Sequence, residues 1–185
     1  MILENLRQYQ VLETKRLLLR PVTLADAEAM FAYASDEENT RWNFPVNQTL
    51  EETKAAIQNI YLKTPLGRYG IVLKSTNSFI GTIDLMNFSD GKMAELGYII
   101  NKNYWNQGLA TEASQKILAL CFEKLGLEEV HGYCALNNPA SARVLSKLGM
   151  TEIERLPNDK ILNGQSITSQ HFVITKTAWQ HLKQP

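Results

Sequence analysis

The chain has 185 residues, with 19 Lys plus Arg against 19 Asp plus Glu and 44% hydrophobic residues. That length suits one domain, 1–185, with a full core, and the composition is globular. Zero net charge argues against nucleic acid as the main partner, because phosphate binding draws on surplus Lys and Arg. No apolar stretch is long enough to cross a bilayer, so no membrane is expected, and Glu4 and Arg7 break the start as a secretory signal. Cys121 and Cys134 read as buried free thiols of a reducing, cytoplasmic setting. His131, His171 and His181 lack metal-ligand spacing, so no metal site is expected.

In chain order, Arg16–Arg20 predicts a short strand ended by Pro21. Thr23 predicts the cap of a helix over 24–34, with Asp26 completing a partial capping box. The run Asp36-Glu37-Glu38 reads as a solvated loop face. Thr49 opens a second helix with Glu51 and Glu52 in its first turn, where carboxylates suit the dipole. Tyr69–Lys74, Phe79–Met86 and Ala94–Ile100 predict an antiparallel meander joined by polar turns. From Gly108 the apolar residues Ala110, Ala113, Ile117, Leu120 and Cys121 follow helical spacing, ended by Lys124 and Gly126. Val130–Ala135 is the next strand, and Asn138-Pro139 predicts a capped helix ended by Gly149. Met150–Arg155 and Ile167–Thr175 close the chain around a polar loop, 157–165. The fold class is α+β.

The segment Glu95–Ala113 carries the chemistry: a strand runs through a loop into a helix that starts at Gln107-Gly108-Leu109-Ala110-Thr111. Exposed amides at a helix start, beside a glycine that permits close approach, suit a pyrophosphate. A Rossmann site would need a three-glycine fingerprint and repeated parallel βαβ units, and neither is present.

Four ordered segments resemble the GNAT superfamily, in the branch similar to ribosomal-protein N-terminal (alanine/serine) acetyltransferases. They are Thr14–Pro21, Thr23–Ala27, Glu95–Tyr98 continuing through Tyr104–Ala113, and Asn138–Ser141 continuing through Lys147–Met150. The resemblance implies a twisted, mostly antiparallel sheet whose fourth and fifth strands splay apart around acetyl-coenzyme A. It implies contacts to the coenzyme from Tyr98, Ile99, Ile100, Gln107, Gly108, Leu109, Ala110, Thr111, Asn138 and Ser141. Trp105 and Asn106 depart from the superfamily's loop pattern, and Leu145 stands where many members carry a proton-donating Tyr.

Acetyl transfer needs a free-base amine, whereas a peptide α-amino group has a pKa of ~7.7–8.0 and lysine ~10.4. Glu95, a frequent Glu position in this branch, is the expected general base, acting through a water. Ser141 is the expected donor to the leaving thiolate, and Asn138 is expected both to cap its helix and to touch the pantetheine. Tyr104 and Trp105 are expected to pack beneath the loop, and Glu112 to be a structural helix carboxylate. Trp42 and Phe44 are the expected wall of the acceptor site. The acceptor is expected to be a primary amine, foremost a ribosomal or other protein N-terminus. The alternatives are a small amine substrate or a catalytically weak coenzyme A sensor, and a homodimer is expected by analogy alone.

Overall fold

In the computed structural model, which describes residues 2–183, the strand-like segments join one eight-stranded sheet. They are β1 (Leu12–Glu13), β2 (Leu17–Arg20), β3 (Arg68–Leu73), β4 (Ser78–Ser89), β5 (Met93–Ile100), β6 (Glu129–Ala135), β7 (Thr151–Leu162) and β8 (Gln165–Thr175). Their order is β1-β2-β3-β4-β5-β6-β8-β7, antiparallel throughout except at β5–β6. The two-residue β1 moves the count by one, so the expected fourth and fifth strands are β5 and β6.

Alternation along the strands decides what each face carries. Leu17, Leu19, Ile71, Ile83, Leu85, Ala94, Leu96 and Val130 turn to one face. There they meet Ala113, Ile117, Leu118 and Cys121 of α5 (Leu109–Ala119) and its continuation Leu120–Lys124. Gly126, at φ +72°, ends this helix as expected. On the other face, Val72 and Phe79 pack with Ala27, Met30 and Tyr33 of α2 (Ala27–Ala34) and with Ile57, just beyond α4 (Leu50–Ala56). The start of α2 is held as predicted: the Asp26 carboxylate accepts from the Thr23 N–H at 2.8 Å and takes both arms of Arg20.

Four features differ from the expectation. The 157–165 segment is not a polar loop, because β7 runs on to Leu162 and returns through Asn163 (φ +51°) and Gly164 (φ +75°). Both turn residues have the left-handed conformation that a two-residue hairpin requires, so Asn-Gly was the signal to read. Asp36-Glu37-Glu38 is no free loop face either. Asp36 caps the one-turn α3 (Glu37–Thr40), and Lys102 reaches Asp36 at 2.6 Å and Glu38 at 3.2 Å. The ends add α1 (Ile2–Leu6) and α7 (Lys176–Leu182), and Trp179 of α7 packs on Phe122.

Glu112 fastens α5 to the β1–β2 turn, the structural role expected of it. Its Oε1 accepts from Thr14 Oγ1 at 2.6 Å and from the Arg16 N–H at 2.8 Å, and its Oε2 meets Arg16 Nε at 2.6 Å. Burial alone would raise this carboxyl, but the bonds from Thr14 and Arg16 hold it below the ordinary 4.5. A depressed carboxyl stabilises the fold above its ordinary value and loses that contribution as pH falls below it. Glu112→Ala should therefore cost about 1–3 kcal/mol by urea unfolding at pH 7. The deficit should shrink toward pH 3; a deficit independent of pH would remove the charge from this account.

Candidate active site

The site begins where the parallel ladder stops. β5 and β6 pair at Met93–Glu129, Ala94–Val130 and Glu95–His131, and beyond that rung they part. β5 stays with β4 as far as Ile100, opposite Gly81, while β6 stays with β8 as far as Ala135, opposite Ser169. The Ile99 carbonyl points at Gly81, where any side chain would strike it. Strand alternation then turns the backbone of Leu96, Tyr98 and Ile100 into the gap. The Ile99 carbonyl therefore belongs to the β4 side. The Ile100 carbonyl is taken by Asn39 Nδ2 at 3.0 Å and Trp105 Nε1 at 2.7 Å. The Tyr98 peptide groups are left as the natural partners for an amide-bearing chain laid in the gap.

The gap leads to the start of α5. Gly108 is its N-cap at φ +73°, and the first intrahelical bond runs from Glu112 N–H to the Gly108 carbonyl. The amides of Leu109, Ala110 and Thr111 thus precede the helical ladder and point outward, where a phosphate suits them. Asn106 has φ +59°, which explains an Asn where glycine is more frequent, since Asn tolerates this region. Arg16 crosses beneath the loop, and its Nη1 donates to the Gln107 carbonyl at 2.9 Å. This cation stands beside the helix mouth although Trp105 occupies the superfamily's usual Gln or Arg position. Tyr104 packs on the core as expected, whereas Trp105 stays exposed and is held by its Nε1 bond to the Ile100 carbonyl.

Across the gap lies α6 (Pro139–Lys147), capped by Asn138 Oδ1, which accepts from the Ser141 N–H at 3.2 Å with Pro139 at the first position. The Tyr98 hydroxyl reaches over to this turn, 2.9 Å from Ser141 Oγ and 3.2 Å from the Ser141 carbonyl. Burial pushes the Tyr98 phenol far up, so it keeps its proton. The sequence pointed to Ser141 and to the Tyr98 backbone, not to this pair of hydroxyls. Leu145 is buried against Gly132, so nothing at that position reaches the gap. Cys134 and Cys121 are buried and unpaired, and burial pushes the Cys134 thiol up to about 11.

The opposite face of the sheet carries Glu95, Tyr133 and the loop with Trp42 and Phe44. Glu95, on the last rung, accepts from Asn87 Nδ2 at 2.6 Å. Trp42 packs on Ala135, Leu162 and Ile167 at the β6 side of the fork, and Phe44 packs into the α2–α4 cluster at the β4 side. A cavity of ≈ 110 Å³ lies between Trp42 and the segments 135–137 and 166–168. Asn39 ties this loop to β5 by donating to Ile100 and accepting from the Lys102 N–H at 2.6 Å. The half-exposed ring of Tyr133 stacks on His171 at 4.3 Å. Burial and the nearby carboxylates of Glu95, Glu154 and Asp159 all raise its phenol. His131 and His171, far apart in sequence, meet at 2.8 Å because β6 and β8 pair. Among the described residues no cluster of His, Cys, Asp or Glu has the arrangement to hold a metal, and no helix is long and apolar enough to cross a membrane.

Known proteins share this arrangement. The sequence profile of the Acetyltransferase (GNAT) domain matches residues 16–151. The chain is 33% identical over 173 residues to the uncharacterized N-acetyltransferase YoaA of Bacillus subtilis (strain 168), covering 91% of this chain and 98% of that protein. A candidate ribosomal-protein-serine acetyltransferase from Vibrio cholerae superposes with TM-score 0.77 at 24% identity, over 89% of this chain and 97% of that one. The Vibrio cholerae spermidine N-acetyltransferase, solved with CoA and spermine, gives TM-score 0.76 at 18% identity over 90% and 99%. The GNAT family uses acetyl-coenzyme A, and the residues of the fork and of the α5 mouth fit that ligand. With a parted β5–β6 pair, an amide-lined helix start and these relatives, the chain belongs to the GNAT acetyltransferases and is an N-acetyltransferase.

Proposed function

We propose that the chain transfers the acetyl group of acetyl-coenzyme A to the α-amino group of a peptide or protein N-terminus, such as that of a ribosomal protein, by direct attack in a ternary complex. The observation that carries this reading is the parting of β5 from β6 beside the amide-rich start of α5. The segment Gln107–Thr111 holds the pyrophosphate, and the Tyr98 backbone and the Asn138 side chain hold the pantetheine. The free Asn138 Nδ2 is available for this, because the helix cap uses only Oδ1. The Tyr98 N–H facing the gap stabilises the oxyanion of the tetrahedral adduct. Glu95 meets the incoming ammonium through a bridging water, and Trp42 and Phe44 wall the channel along which a peptide enters.

The protons balance as follows. The ammonium gives up two protons while its nitrogen forms the C–N bond. The C–S bond breaks as the adduct collapses, its electron pair leaves on sulfur, and sulfur takes one proton. Tyr98 and Ser141 share that last step, because their hydroxyls lie together on the α6 side of the gap. One proton per turnover goes to solvent.

A second reading, a small cationic amine as acceptor, is favoured by the exposed Tyr133 ring with Glu95, Glu154 and Asp159 around it.

Two measurements test these points. Tyr98→Phe and Ser141→Ala should each lower kcat by about 10²-fold with little change in the KM for acetyl-coenzyme A. The double variant should be little worse than either single one, because the hydroxyls act as a unit; an unchanged kcat would clear both of the role. In a thiol-release assay, Ser- and Ala-initiated peptides should outrun N-blocked, lysine-containing peptides and spermidine. Faster turnover of spermidine would move the assignment to the second reading, and no binding of coenzyme A would overturn both.

A further inference from the structure

One carboxyl group on the acceptor face has no task in this scheme. Asp84 sits in the middle of β4 between Ile83 and Leu85, whose side chains enter the core under α5. Alternation sends Asp84 to the opposite face, with Thr82 and Met86. Its Oδ1 is sealed from solvent and has no hydrogen-bond partner; among the described residues only Ser114 Oγ shares that condition. Its Oδ2 stands 3.8 Å from Arg68 Nη1, too far for a hydrogen bond. A buried, unpartnered carboxyl oxygen is costly, and such groups concentrate where a fold serves a reaction.

The register places this group at the fork. Asp84 pairs with Gly97, whereas Met86 pairs with Glu95. Directly opposed residues of an antiparallel pair lie ~4.5–5.5 Å apart, while Glu95 is two residues from Gly97, roughly 6.6 Å along β5. Gly97 immediately precedes Tyr98, whose backbone faces the gap. By register, Asp84 is the nearer of the two carboxylates to Gly97, the residue before Tyr98. Gly97 adds no side chain between them; an added Cβ would meet Met86 Cε at 2.9 Å.

We propose that Asp84 is the general base that takes the proton from the attacking amine, leaving Glu95 to anchor the ammonium at the mouth of the fork. This assignment rests on the acetyl-transfer reading above and deepens it. The charged and titratable groups facing Asp84 are Arg68 from β3, Glu95 from β5, Tyr33 from α2, and Tyr61 from the turn that follows α4. The Tyr61 hydroxyl donates to Thr82 Oγ1 at 3.1 Å. Burial pushes the Asp84 carboxyl up to about 7, with Arg68 pulling the other way. Burial also pushes the Tyr33 and Tyr61 phenols up, so both stay neutral. Asp84 is thus protonated and incompetent below about pH 7 and ionised above it. Such a base lies about one unit below an α-ammonium, at ~7.7–8.0, but more than three below lysine, at ~10.4. The match points to α-amines as the substrate class.

The experiment is the pH profile of kcat between 5.5 and 9, with saturating acetyl-coenzyme A and a saturating Ser-initiated peptide. The unaltered protein should rise through a limb centred near 7. Asp84→Asn should lose that limb and fall about 10²–10⁴-fold at pH 7 while still binding acetyl-coenzyme A. Asp84→Glu should regain part of the rate, and Glu95→Gln should keep the limb and raise the peptide KM. A limb retained by Asp84→Asn belongs to the amine or to another group and overturns the assignment, leaving acetyl transfer intact. An unaltered protein that binds acetyl-coenzyme A yet acetylates no amine fails the earlier reading instead. If Asp84→Asn does not fold, carbon-13 titration of the unaltered protein decides. An aspartate carboxyl with a midpoint near 7 that moves on peptide binding supports the assignment; midpoints all below 5 overturn it.

Discussion

Everything at the site follows from a parallel ladder that ends at Glu95–His131. Each strand keeps its outer neighbour, so the sheet continues on both sides while its centre opens. An opened centre leaves backbone groups of Tyr98 without a strand partner, and a buried peptide group demands one. The gap is therefore a chemical requirement as well as a shape: it calls for a chain that carries its own amides. Three contacts keep the gap at a fixed width. The Tyr98 hydroxyl ties β5 to α6, the loop carrying Asn39 holds the end of β5, and Trp42 rests on the β6 side.

The formal charge of the chain is zero, yet the two ends of the site have opposite character. Toward α5 the outward amides of Leu109–Thr111 make the surroundings positive, the Arg16 guanidinium being paired with Glu112. On the opposite face Glu95, Glu154 and Asp159 make them negative. In the proposed reading an anionic coenzyme and a cationic amine approach different faces of one sheet. Charge counted along the sequence cannot show this separation, because it arises from strand alternation and from which helix covers which face.

The same distinction explains how much of the site could be read from sequence. Features encoded by neighbours in the chain were legible: the helix start at Gly108, the Asn138-Pro139 cap, the helical spacing from Ala110 to Cys121, and the alternation in β3 to β5. The Asn163-Gly164 turn was equally local, but the polar run before it masked β7. Features made by pairing were hidden. His131 with His171, Tyr98 with Ser141, and Asp36 with Lys102 are distant in sequence and meet only once the register exists. Asp84 left a fainter trace, a single charge inside the apolar run Phe79–Leu85. A strand with one face on the core permits such a residue without comment, so only its missing partner distinguishes it.

Under the proposed roles the sheet also divides the proton traffic of the reaction. In the proposed mechanism the amine sheds its protons on the face that carries Asp84, whereas sulfur gains one on the side where Tyr98 meets Ser141. Two groups of different character fit these two tasks: a carboxyl raised toward neutrality accepts readily, and phenol and serine hydroxyls that burial keeps neutral only donate or polarise. The accepting group carries a structural cost. A carboxyl raised above its unfolded value of ~3.9 opposes folding increasingly as pH climbs from about 4 to about 7, and fully above that. Arg68, at 3.8 Å, offsets only part of this. A closer ion pair would relieve the fold, but it would lower the carboxyl and weaken it as a base. For the proposed base, the loose contact between Arg68 and Asp84 is therefore the arrangement that keeps the carboxyl useful, and the broad core under α5 offsets its cost.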